Sequence, residues 1–279
     1  MKKILILLIS LCILSPVFAK ADKTSVEYLR DRKHLAVMNP IAEKIAEKAI
    51  KKAIKKECGG KYKVEFDGYT LGSMKIGIFK NLIITGKNLD VEGIEIPYLQ
   101  LKSITDYNWI DYRQEPIAYK SDMEFAYSLH LDEDSVNYAL KNKKYKEKID
   151  KINNIAYPLF TLYDTKIKIK NDKLYLIMEY NLPLSPFKKN KVFIVSTSLE
   201  VDNSKIIARN INFDKSYGNL SLKKVGNLIN MLDPLAFTLS LIESKDCQGR
   251  VDSVKIIDDI IEINGRIYIK KSELKKESK

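Results

Sequence analysis

Residues 166–182, KIKIKNDKLYLIMEYNL, decide the fold class of this chain. In the first five of these residues lysine and isoleucine alternate strictly, which is typical of a β-strand with one buried face. Asn171 and Asp172 favour a tight turn, and the chain then runs back through apolar residues to Leu182. The stretch therefore predicts two antiparallel strands joined by a short turn.

The same alternation recurs on both sides of this hairpin. Turn residues separate the segments, and no long helical pattern lies between them to make the crossover that parallel strands need. Because the strands are too many and too long for one flat sheet, we expect a strongly curved antiparallel sheet. The predicted strand regions are 62–131, 159–182, 191–201, 205–213, 251–257 and 260–269.

Helical segments accompany the strands. In residues 26–57 two neighbouring rows of apolar side chains recur every four positions, with lysines on the opposite side. Cys58 and two glycines end this pattern. Shorter helices are predicted within 132–154 and at 220–232. The predicted class is therefore α+β, with a long N-terminal helix packed on a strongly curved antiparallel sheet and two shorter helical segments.

Residues 1–21 have the parts of a secretory signal peptide. Two lysines precede an apolar run, a proline follows it, and small residues at Ala19 and Ala21 suit a signal peptidase. We predict cleavage after one of these alanines; an uncleaved anchor helix is the alternative. The protein is then exported to the periplasm or cell envelope, with one domain at 22–269 and a charged, flexible tail at 270–279.

The charge of the chain points to anionic partners. It carries 48 Lys and Arg against 36 Asp and Glu, a net charge of +12, and loss of two leader lysines leaves +10. We expect peripheral contact with an anionic membrane, although solubility is the simpler reading of the charge. Nucleic acid is not an expected partner, because export separates the protein from it. The predicted membrane-docking residues are Phe187, Lys188, Lys189 and Lys191.

The chain lacks the usual signs of an enzyme. It has two histidines, three cysteines and no nucleophile elbow, phosphate loop or dinucleotide fingerprint. The acidic residues 132–134 lack the spacing of a calcium loop and are predicted to cap a helix. We therefore predict no catalytic residue, no metal and no cofactor.

Two cysteines, Cys58 and Cys247, remain after the leader is removed. In an oxidising compartment they predict a disulfide between the end of the long helix and the loop before the last hairpin. The alternative is two buried thiols.

Four segments resemble the LmeA-like phospholipid-binding family, whose fold is TULIP-like (tubular lipid-binding). They are a helix that follows a signal peptide, a pair of strands with glycine near the turn, a strand followed by an acidic helix start, and an apolar helix end before a cysteine-containing loop. In this chain the four segments are 42–54, 64–86, 129–140 and 228–235.

This resemblance implies a phospholipid or related lipid held in an apolar groove between helix and sheet, with a role in envelope lipid maintenance or transfer. The groove residues would be Ile41, Ile45, Ala49, Phe79, Phe160, Leu182, Leu228, Met231, Leu232 and Phe237. Three alternatives stay open. The same residues can form a filled core, the protein can be a structural or interaction protein of the envelope without a ligand, and an unrecognised lipid or glycan hydrolase is the third class.

Overall fold

A computed structural model describes most of the chain. The predicted signal peptide, residues 183–190 with most of the predicted membrane-docking residues, the predicted helix at 220–232 and most of the charged tail lie outside the described residues. The described residues are 24–33, 39–91, 95–111, 118–157, 160–182, 191–213 and 247–272.

Five helices and thirteen strands make up the described chain. The helices are α1 (Val26–Lys33), α2 (Asn39–Cys58), α3 (Leu71–Lys75), α4 (Glu133–Leu140) and α5 (Lys143–Ala156). The strands are β1 (Lys61–Asp67), β2 (Ile78–Phe79), β3 (Asn81–Asp90), β4 (Glu95–Ser103), β5 (Asn108–Asp111), β6 (Ala118–Tyr119), β7 (Met123–Leu131), β8 (Thr161–Lys170), β9 (Lys173–Asn181), β10 (Lys191–Asp202), β11 (Lys205–Phe213), β12 (Cys247–Ile257) and β13 (Ile260–Ile269).

The described strands pair antiparallel throughout, so the predicted α+β class is confirmed. Six strands form one sheet in the order β1-β3-β4-β7-β13-β12. Four form a second sheet, β11-β10-β9-β8, and three short ones form a third, β2-β5-β6.

Two finer predictions are wrong. The described strands divide among three sheets that are not strongly curled, whereas the sequence predicts one strongly curved sheet. Strands that are too many for one flat sheet can form several sheets instead of one curved sheet.

The predicted single helix over 26–57 is two helices of 8 and 20 residues, with 34–38 outside the described residues. The physical reason is that the two helices pack against different hydrophobic clusters. In α1, Leu29 packs with Tyr69 and Ile78 in a small separate cluster, whereas α2 joins the main core.

The main core lies against the buried faces of the two larger sheets. Every second residue of β7 and of β9 is buried, as the alternation of the sequence predicts. Helices α2, α4 and α5 add their apolar faces to the same continuous cluster. In α2 the inward row is Ala42, Ala46, Ile50 and Ile54.

The turns that join consecutive strands follow the local sequence. Three hairpins have two-residue turns with both residues at positive φ, between 49° and 62°. Such turns match the twist of the strands they join, and Asn and Asp tolerate this conformation. The turn residues are Asn171 and Asp172, Asn203 and Ser204, and Asp258 and Asp259.

The free edge of strand β1 is occupied by carboxylates of α2. The backbone N–H of Phe66 donates to Glu47 Oε1 at 3.2 Å, and that of Gly68 donates to Glu43 Oε1 at 3.0 Å. An edge strand otherwise offers its N–H groups to other chains. The helix therefore protects this edge as well as covering apolar surface.

Strand β8, at the edge of the four-stranded sheet, is covered by two asparagines. Asn137 of α4 accepts from the N–H of Ile167 at 2.8 Å and donates to its carbonyl at 3.0 Å. Asn153 of α5 does the same for Leu162, at 2.7 and 2.8 Å. Each amide thus takes the place of a neighbouring strand.

Gly265 lies where three strands meet closely. A Cβ on this residue would lie 2.6 Å from the hydroxyl oxygen of Tyr127 and closer still to the carbonyl of Arg250. Tyr127 faces Gly265 directly in the β7–β13 register. The missing side chain makes room for the tyrosine ring, so this position requires glycine.

Candidate functional site

The predicted lipid residues on α2 lie on its exposed side. Ile41 and Ile45 are 57% and 51% exposed, and Ala49 is half-buried, whereas Ile50 and Ile54 are buried. The two apolar rows of the helix therefore have different environments. One row fills the core, and the N-terminal half of the other leaves two isoleucines at the surface.

Other predicted groove residues belong to the core or its margin. Phe79 is 1% exposed, and its ring centroid lies 5.6 Å from that of Phe66. Phe160 and Leu182 are half-buried and pack against the main core. The remaining predicted residues, Leu228, Met231, Leu232 and Phe237, lie outside the described residues.

Phe160 and Leu182 lie at the same end of the four-stranded sheet. They flank Thr161 and Asn181, which face each other where β8 begins and β9 ends. The buried Asn181 Oδ1 has no hydrogen-bond partner among the described residues. This end of the core thus combines two partly covered apolar side chains with an acceptor that lacks a donor.

Of the predicted membrane-docking residues, Phe187, Lys188 and Lys189 lie outside the described residues. Lys191 begins β10, is half-buried, and faces Tyr180 of β9. The structure therefore places one of the four, at the sheet end that also carries Phe160.

A larger basic region lies on segments for which sequence reasoning predicted no function. Residues 143–173 hold nine lysines and four acidic residues, a net charge of +5. They include α5, strand β8 and the turn into β9, and Asn153 joins the helix to the strand. The strict alternation of lysine along β8 is the signal that could have identified this region.

Polar residues with catalytic potential have structural roles. The ring of His130 lies 4.6 Å from that of Tyr98, centroid to centroid. Asp132 accepts from the N–H of Ser135 at 2.8 Å and begins α4, so the predicted cap is confirmed. Burial raises the pKa of Tyr62 above its ordinary value, so this hydroxyl ionises less readily than that of an exposed tyrosine.

The predicted disulfide joins residues that the register sets far apart. Cys58 is buried at the end of α2, three residues before Lys61, and the side chain of Cys247 lies outside the described residues. The row of paired residues from Lys61 crosses the sheet to Lys255. Five strand spacings are about 24 Å, and Cys247 lies about 26 Å further along β12. A bridge needs Cα atoms within about 7 Å, so the register argues against this pairing, which stays a prediction.

No group of three or more Cys, His, Asp or Glu in the described ranges is arranged to hold a metal ion. Among the described helices, none is both long and apolar enough to cross a membrane.

Comparison with protein-family models, with curated proteins and with solved structures found no match to this chain. The resemblance to the LmeA-like family therefore rests on the four segments of the sequence.

Proposed function

We propose that this chain is an exported envelope protein that binds a phospholipid or a related lipid through apolar side chains and serves envelope lipid maintenance or transfer. The observation that carries the proposal is the incomplete covering of α2. Ile41 and Ile45 expose more than half of their surface beside a row that packs against the core. Adjacent exposed isoleucines on one helix face offer an apolar contact for acyl chains.

The energetics of lipid binding require an apolar contact surface and no catalytic group. Each CH₂ group removed from water contributes about 0.8 kcal/mol, so two acyl chains with some thirty CH₂ groups represent roughly 24 kcal/mol relative to water. A membrane offers the same stabilisation, so a carrier needs an apolar surface of similar quality and no catalytic group. We propose no enzymatic activity for this protein.

A second function is favoured by the packing around Phe79. This predicted groove residue is buried against Phe66, and the edges of β1 and β8 are capped by side chains. A filled core with protected edges suits a structural or interaction protein of the envelope that binds no lipid.

Organic extraction of the purified protein followed by mass spectrometry separates the two functions. Stoichiometric phospholipid supports the first, and a protein without lipid supports the second.

A double variant, Ile41→Asp with Ile45→Asp, tests the contact on α2. Both side chains are more than half exposed, so folding should be unaffected while co-purifying lipid falls. Ile257→Asp is the matched control, because Ile257 is 47% exposed at the opposite edge of the six-stranded sheet. A folded double variant with the lipid content of the control would contradict the proposed contact.

Export is tested separately from binding. N-terminal sequencing of the secreted form should place the first residue at Lys20 or Asp22. An intact N-terminus on a membrane-bound form would indicate an anchor.

A further inference from the structure

The outer face of the four-stranded sheet combines lysines with apolar side chains. Lys166 on β8, Ile177 on β9 and Ile194 on β10 form one row across the sheet. Lys168 and Tyr175 begin the next row. These lysines are exposed and the apolar residues are half-exposed, since the core lies on the other face.

We propose that this outer face is the surface through which the protein docks on an anionic membrane. The inference rests on the proposed function, because a lipid carrier must contact a bilayer. It assigns that contact to the outer sheet face in place of the predicted membrane-docking residues at 187–191. Lysines near an anionic bilayer attract its head groups, while half-exposed aliphatic and tyrosine side chains suit the interfacial layer. An acidic protein surface would also match the lysines, and equal binding to neutral and anionic vesicles is the result that would favour it.

The hairpin turn adds a second, independent observation. Lys170 and Lys173 face each other directly in the register of β8 and β9. Like charges placed opposite each other across two strands destabilise the pair, and an anionic surface removes this repulsion. Of the acidic residues on this face, Asp164 and Glu179 lie together at its other end, where Asp164 forms an ion pair with Lys166 at 3.4 Å. Nearer the turn, Glu200 of β10 forms an ion pair with Arg209 at 3.4 Å, Asp202 faces Lys205, and Asp172 is a single carboxylate between Lys170 and Lys173. The positive end is therefore the one formed by the turn.

The test compares two variants with the same change of net charge. Lys168, Lys170 and Lys173 are replaced by Gln in one variant, and the exposed α2 residues Lys44, Lys48 and Lys51 in the other. Binding is measured by co-sedimentation with vesicles of pure phosphatidylcholine and of an equal mixture of phosphatidylcholine and phosphatidylglycerol.

We expect the full-length protein to prefer the anionic vesicles and to lose this preference as salt rises, because the Debye length falls from about 10 Å at 0.1 M to 3 Å at 1 M. The sheet variant should bind the anionic vesicles about 100-fold more weakly, at roughly a factor of five for each lysine. The α2 variant should bind nearly as the unmodified protein does.

Three outcomes would overturn the inference: equal binding to both vesicles at low salt, equal weakening by both variants, or a larger loss in the α2 variant. Thermal unfolding of each variant verifies folding before the comparison. Lipid content is measured on the same preparations by organic extraction. Absence of bound lipid refutes the proposed function, whereas the vesicle experiment tests membrane docking independently of that result.

Discussion

Replacement of Asn153 by alanine tests the strand-mimicking role of this side chain. The amide makes two hydrogen bonds with the backbone of Leu162, at 2.7 and 2.8 Å, and Leu162 is 2% exposed. Alanine leaves a buried N–H and C=O without these partners at the edge of the four-stranded sheet. Each unsatisfied buried group costs about 1–3 kcal/mol, whereas alanine recovers roughly 0.5 kcal/mol of helix propensity.

Two such groups less this gain give a net loss of roughly 1.5–5.5 kcal/mol. We expect the lower part of this range, about 2 kcal/mol, because both hydrogen bonds are only partly buried. For a chain of this size, a loss of about 2 kcal/mol corresponds to about 4–8 °C in melting temperature. Urea unfolding followed by circular dichroism measures the free energy of unfolding. Asn154→Ala is the matched control, since this neighbour on α5 is exposed and its replacement changes helix propensity alone. Equal midpoints for the two alanine variants would refute the reasoning.

The opened strand edge should have a second consequence. Without the amide of Asn153, part of β8 presents unpaired backbone groups that another chain can pair with. Size-exclusion chromatography should therefore show more dimer or aggregate for Asn153→Ala than for Asn154→Ala. Asn153→Asp should resemble the alanine variant in stability, because a carboxylate keeps the acceptor for the Leu162 N–H but faces its carbonyl without a donor.

Three further predictions concern the six-stranded sheet and the cysteines. Gly265→Ala should destabilise the protein by about 3 kcal/mol or more, whereas Gly72→Ala, with no atom nearer than 3.8 Å to the new Cβ, should be neutral or stabilising in a denaturant titration. A hydrogen bond from Arg266 of β13 holds the pKa of Asp252 below its ordinary value. The ionised Asp252 carboxylate therefore stabilises the folded protein above about pH 4, and this stabilisation is lost as the pH falls through the lowered pKa of the folded state. Asp252→Asn should accordingly lower the unfolding midpoint at pH 7, and its difference from the unmodified protein should shrink as the pH falls below about 4 and through the lowered pKa of Asp252. Non-reducing peptide mapping tests the predicted disulfide. A linked Cys58–Cys247 peptide would confirm the disulfide, whereas separate peptides would agree with the large distance that the strand register gives.

Local features of the fold could be predicted because their causes are local. Alternation along a strand determines which face is apolar, and Asn171 with Asp172 accepts the positive φ of a tight turn. Asp132 caps α4 through its own side chain and a backbone group three residues on. Each of these depends on neighbours within a few positions.

Tertiary structure decided what depends on distant partners. Two apolar rows of α2 are equivalent in the sequence, and contact with the sheets determines that Ile50 is buried and Ile45 exposed. Three sheets take the place of one curved sheet, because strand partners are set by packing across the whole domain.

The candidate surfaces follow the same division. The sequence by itself determines the charge and the alternation that lines up the lysines of β8, and it predicts an export signal. Only strand register decides that Lys166 lies beside Ile177, and only the docking of α5 brings Asn153 to the open edge of that strand. Chain neighbours are fixed by covalent bonds, whereas these contacts join residues brought together by burial of the shared core, so no short stretch of sequence specifies them.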